Sequence, residues 1–88
     1  MSKLHLALDY NGTYTTDPGL WADFIYRTEE RGHTVTFVTM RRPSEALIFV
    51  DNPVIYTSRE AKLKYCLKQG ITFDIWIDDN PKWLFNNA

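Results

Sequence analysis

Apolar residues in this chain fall into short β-prone runs separated by stretches with helical spacing, and that alternation marks βαβ units around a parallel sheet. Leu4 to Leu8 reads as the first strand. A polar, glycine-containing turn, Asp9-Tyr10-Asn11-Gly12-Thr13, follows it, and Asp17-Pro18 supplies an N-cap residue with proline at the first helical position. The helix beginning at Pro18 carries Leu20, Trp21, Phe24, Ile25 and Thr28 as one stripe and meets a stop at Gly32. Thr34 to Thr39, rich in β-branched residues, predicts the second strand. Thirteen residues, Arg41 to Pro53, link it to a third strand at Val54 to Thr57. That length admits a crossover helix over Ala46 to Val50, with an extra strand as the alternative, because so short an apolar run has no resolvable period. Ser58 is expected to cap the next helix, in which Leu63, Cys66 and Leu67 share a face and Gly70 ends the run. Phe73 to Ile77 predicts the last strand, and Trp83, Leu84 and Phe85 a closing partial turn of helix.

Composition narrows this picture. With 88 residues the chain makes one domain, and 44% hydrophobic and 15% aromatic residues supply its core. Ten basic against eleven acidic residues leave a formal charge of −1, which gives no sign of a nucleic-acid partner and none of a membrane surface. No apolar run reaches the ~18 residues of a membrane span. The single cysteine, Cys66, has no internal partner, and no secretory leader pattern opens the chain, so a cytoplasmic setting is expected. His5 and His33 lack metal-ligand spacing and read as structural.

In open α/β sheets the ligand site lies beyond the carboxyl ends of the strands, and Asp9, Thr39, Ser58 and Asp78-Asp79 all fall there. Three carboxylates brought together repel and raise one another's pKa unless a cation neutralises them. All-oxygen ligands with no histidine or thiol among them suit Mg²⁺. Against this stands the plainer possibility that Asp-Asn-Pro after a strand is turn chemistry and that Asp9 opens an ordinary loop.

The succession of Asp9-Tyr10-Asn11-Gly12-Thr13 after strand one, Thr39 ending strand two, a lysine on the helix before the last strand, and Ile77-Asp78-Asp79-Asn80-Pro81 resembles the haloacid dehalogenase-like hydrolase superfamily over about residues 4 to 81. The resemblance implies a small three-layer, Rossmann-like α/β fold with a four-stranded parallel sheet in the order 4-1-2-3. It implies a phosphohydrolase in which Asp9 attacks phosphorus to give an aspartyl-phosphate that water hydrolyses. Mg²⁺ would be held by Asp9, Asp78, Asp79 and the backbone carbonyl of Asn11, and the Thr39 hydroxyl and a lysine would meet the phosphoryl oxygens. Lys62, in the first turn of its helix near the carboxyl edge, is preferred to Lys64 on the opposite flank and to Lys68 two turns away.

Phosphatases of this family carry a second aspartate, the general acid and base, where this chain has Asn11. An amide cannot shuttle a proton, and such help is typically worth ~10²–10⁴-fold in rate. Three explanations stand: a natural variant acting on good leaving groups, a module that binds Mg²⁺ and phosphate without turnover, or an aspartate replaced to trap a complex. Neither position where relatives insert a cap domain has room for one here. The site is therefore expected to be open and suited to bulky or macromolecular phosphate esters, unless an oligomer partner covers it. Tyr10, Tyr14, Trp21 and Trp83 are candidates for a recognition surface, with Trp21 better read as core, and Arg41 and Arg42 for a second phosphate or carboxylate of the substrate. A receiver-like domain phosphorylated on aspartate is less favoured, because receivers carry their acidic pair early in the chain.

Overall fold

A computed structural model describes residues 2–48 and 50–88. Four parallel strands, β1 (His5–Leu8), β2 (Thr34–Thr39), β3 (Val54–Tyr56) and β4 (Ile75–Ile77), form one sheet in the order β3-β2-β1-β4. From the other edge this is the expected succession 4-1-2-3.

Alternation along the central strands divides the core in two, because successive strand side chains point to opposite faces. Leu6, Leu8, Val35 and Phe37 pack on one face against Ile25, with Trp21 and Phe24 beside it, all three from helix α1 (Pro18–Glu30). Ala7 and Val38 pack on the other against Cys66 of helix α2 (Lys62–Lys68). Helix α1 starts as its sequence predicts, with Pro18 in the first turn and the Asp17 carboxylate accepting from the Leu20 amide at 3.2 Å. Past its end Gly32 adopts φ +91°. Leu20, however, lies outside the buried stripe and is exposed. A short helix α3 (Lys82–Phe85) closes the chain against α2.

Three local expectations are corrected. The crossover between β2 and β3 contains neither a helix nor a strand over the described residues of Ala46 to Val50; Phe49 lies outside them. Instead Pro43–Glu45 makes a single 3₁₀ turn, closed by the Arg42 amide donating to the Glu45 carboxylate at 2.8 Å, and Ala46 leaves helical space at ψ 143°. Leu47 and Val50 then pack on the α1 side of the sheet, so their apolar character serves the core without regular structure.

Ser58 does not cap α2. It and Arg59 sit in left-handed conformations, φ 52° and 71°, within a turn closed by the Thr57 hydroxyl donating to the Glu60 carbonyl at 2.8 Å. Ala61 occupies the N-cap position with no side-chain cap bond, and its amide donates instead to Asn87 Oδ1 at 2.7 Å. The face of α2 is also different from the one expected. Leu67 is exposed, and the residues buried one turn apart are Lys62 and Cys66.

Among the described residues no helix is long and apolar enough to cross a membrane.

Candidate active site

Register brings the acidic residues together. Leu8 pairs with Ile77 across β1 and β4, so the next residues, Asp9 and Asp78, leave the sheet side by side, and the Asp9 amide donates to the Ile77 carbonyl at 2.9 Å. Lys62 joins them from α2. Its Nζ donates to Asp9 Oδ1 and to Asp78 Oδ2, both at 2.6 Å, and all three side chains are less than a tenth exposed. A lysine on the buried face of a short helix needs such partners, since burying an unpaired ammonium is prohibitive.

The other oxygen of Asp9 meets Thr13, whose significance the sequence reading missed. Its hydroxyl is 3.0 Å from Asp9 Oδ2 and 3.0 Å from Asp79 Oδ1, and it accepts from the Asp79 amide at 3.1 Å. One hydroxyl proton thus serves two carboxylates. Threonine four residues after the strand-end aspartate was the available signal. Gly12 makes room for this approach: it adopts φ +88°, and a Cβ there would fall 2.8 Å from Asp79 Oδ2.

Burial pushes the Asp9 carboxyl up to about 6; the Lys62 ammonium opposes this, and the neighbouring Asp78 and Asp79 add to it. Oxygens of Asp9, Asp78 and Asp79 lie within 4.8 Å of one another, comparable with the ~4.2 Å between opposite ligands of an octahedral Mg²⁺. Hard oxygen donors, three carboxylates against one ammonium, fit a divalent cation.

Asp9, Asn11, Thr39, Lys62, Asp78 and Asp79 all line one cavity of about 370 Å³ at the carboxyl edge of the sheet. Thr39 is buried, and its hydroxyl accepts from the Arg41 amide at 3.3 Å. Asn11 is exposed at the rim, where its Oδ1 accepts from Arg41 Nε at 3.0 Å. Trp83 lines the cavity, whereas Tyr10 and Tyr14 stack on each other at 5.5 Å and pack against Phe37 of the core. Arg41 lines it too, but Arg42 does not, because its backbone is turned into the 3₁₀ turn. Lys64 lies on a separate apolar groove between α2 and α3, and Lys68 pairs with Glu60. Ser58 is exposed and outside the cavity.

Arg59 is a lining residue that sequence reading missed. It stands three residues past the end of β3, and its guanidinium donates to the Met40 carbonyl at 2.9 Å and to the Glu45 carboxylate at 3.1 Å. Ala88 reaches the same mouth through its amide, which donates to the Arg59 carbonyl at 2.8 Å. Neither contact has a local sequence signal, since each joins distant segments.

Compared with known proteins, the chain matches no family model, and no curated protein or solved structure matches it significantly.

Proposed function

We propose that this chain is a Mg²⁺-dependent phosphohydrolase of the haloacid dehalogenase-like type, acting through an aspartyl-phosphate on Asp9. The observation that carries this reading is the Lys62 ammonium bridging Asp9 and Asp78 at the bottom of a cavity that Thr39 and Asp79 also line. Asp9 Oδ attacks phosphorus, and the electron pair of the breaking P–O bond goes to the leaving oxygen. With its carboxyl titrating near 6, Asp9 is mostly ionised above neutrality. Lys62, held by two carboxylates, stands ready to offset charge on the phosphoryl oxygens, and Thr39 offers them a hydroxyl. Asp9, Asp78, Asp79 and the Asn11 carbonyl would hold Mg²⁺, which when bound supplies further neutralisation of the phosphoryl group. Water then attacks the phosphorus and returns Asp9 to a carboxylate.

Only the short connections 10–17 and 40–53 stand where a cap domain would be inserted, in keeping with an open site and a bulky phosphorylated substrate. A second reading, a module that binds Mg²⁺ and phosphate without turnover, is favoured by Asn11, whose side chain cannot carry a proton and is engaged by Arg41.

The deciding experiment is hydrolysis of p-nitrophenyl phosphate with Mg²⁺ by the natural chain and by Asp9→Asn. Turnover lost in the variant supports the enzyme. Absent turnover with Mg²⁺-dependent phosphate binding supports the module.

A further inference from the structure

The cavity has two unlike sides. Deep in it, Asp9 is buried and bound to Lys62, so a phosphorus attacked by Asp9 in line must direct its leaving group toward the mouth. There the lining changes to Arg41, Arg59 and Asn11. The side-chain carboxylates lining the cavity, Asp9, Asp78 and Asp79, cluster within 4.8 Å of one another on the nucleophile's side. Guanidinium groups do not deprotonate in proteins, and an amide has no transferable proton. Among the described residues no side chain on that side protonates a departing alkoxide.

What the mouth offers instead is fixed cationic donors. Arg41 is held by Asn11 through Nε and by the Glu45 carbonyl through Nη1 at 3.2 Å, and lies over the Tyr10 ring at 5.2 Å. Among the described residues its Nη2 donates to no protein group, and neither does Nε of Arg59. Both arginines are therefore oriented by the protein while keeping N–H groups for a ligand. Guanidinium N–H groups make charge-assisted hydrogen bonds to phosphate oxygens, here from one unengaged nitrogen of each arginine.

From this we infer that the substrate is a phosphoanhydride, with the departing phosphate received by Arg41 and Arg59. The inference rests on the phosphohydrolase reading and narrows it from ester to anhydride. Asp9 Oδ forms a bond to the terminal phosphorus while the P–O bond to the bridging oxygen breaks. The bridging oxygen keeps the electron pair and leaves as a phosphate oxyanion, which is stable unprotonated because the second pKa of a phosphate is about 6. Water then attacks the phosphorus of the aspartyl-phosphate, and its proton passes to the inorganic phosphate released. The absent general acid is thereby no defect in the first step for this substrate class, while the second step, common to all phosphate substrates, runs without base help from position 11.

The test compares kcat/KM of the full chain with Mg²⁺ on inorganic pyrophosphate, acetyl phosphate, p-nitrophenyl phosphate and glycerol phosphate. Pyrophosphate is expected to be preferred to all three, and to glycerol phosphate by at least about 100-fold, the usual worth of a missing general acid. Arg41→Gln and Arg59→Gln should each lower the ratio of pyrophosphate to p-nitrophenyl phosphate turnover about tenfold or more. If p-nitrophenyl phosphate is hydrolysed in an Asp9-dependent way but pyrophosphate is not preferred, the substrate inference is overturned and the phosphohydrolase stands. An acetyl phosphate preference or an unchanged ratio in both arginine variants overturns it equally. Turnover of none of the four overturns both.

Discussion

The two ends of the sheet use similar residue types to opposite effect. At the amino end the Leu4 amide donates to His33 Nδ1 at 3.0 Å, the His5 amide to the Asp74 carboxylate at 2.8 Å, and His5 Nδ1 meets the Thr34 hydroxyl at 2.8 Å. Each polar side chain there closes one backbone or hydroxyl group on a neighbouring segment, in reach of water. At the carboxyl end, three carboxylates crowd one ammonium and one hydroxyl, with the Asp9 and Asp78 side chains buried and Asp79 exposed. The first arrangement satisfies hydrogen bonds; the second leaves negative charge uncompensated. Hydrogen-bonded polar groups stabilise a fold wherever they stand, whereas an unbalanced carboxylate cluster costs stability and marks a candidate functional site.

Substitution of Lys62 breaks the comparison hardest. In Lys62→Met two buried carboxylates lose their counter-charge, which should cost about 3–5 kcal/mol at pH 8 in a denaturant titration. That loss should shrink at pH 5, where Asp9 takes up a proton, and the proposed phosphohydrolase activity should vanish at either pH.

pH itself separates the two ends next. The folded pKa of Asp9, about 6, lies above its unfolded value of 3.8, so its protonated form favours the folded state. That stability is fully present below pH 4 and is lost as pH rises through 6. Metal-free protein should lose on the order of 2–3 kcal/mol from this group between pH 4 and 7.5. Asp9→Asn should abolish that slope, and Mg²⁺ should flatten or reverse it. Glu45, whose pKa is held down first by the Arg42 amide, acts below its ordinary range and leaves the interval from 5 to 7 to Asp9.

Gly12→Ala should cost about 1–3 kcal/mol, because alanine is strained at φ +88° and its Cβ meets the Asp79 carboxylate. Activity should fall with it, by roughly 10²-fold if Asp79 is displaced by an ångström. The smallest effect belongs to the amino end. Asp74→Asn keeps an acceptor for the His5 amide, so it should cost under about 1 kcal/mol and leave kcat/KM within about twofold. A large activity loss there would erase the contrast between the two ends.

Much of this was legible beforehand for local reasons. Asp17-Pro18 marks the start of α1 because a cap and a proline act within one turn, and the β-branched run from Thr34 to Thr39 marks β2 because those side chains suit a pleated surface. Candidates Asp9, Thr39, Asp78 and Asp79 could be named because strand ends in a parallel sheet share one edge. The misreadings are as instructive. Ser58 resembled a cap, but Arg59 had to cross to Met40 and Glu45, and that path carries both residues through left-handed backbone. Ala46 to Val50 resembled a helix, but Leu47 and Val50 reach the core without regular structure, after a turn tied by Glu45, and Ile48 stays exposed.

The sequence by itself determined the alternation of strands and helices, the edge on which the chemistry gathers and the amide at position 11, because these depend on residue type and short spacing. Tertiary structure decided which lysine is buried, that Thr13 shares its proton between two carboxylates, and that Arg41 and Arg59 face them across one cavity. Those choices depend on contacts such as Asp78 with Lys62, 16 positions apart, Asp9 with Lys62, 53 apart, and Thr13 with Asp79, 66 apart, and no periodicity records a contact made across the sheet.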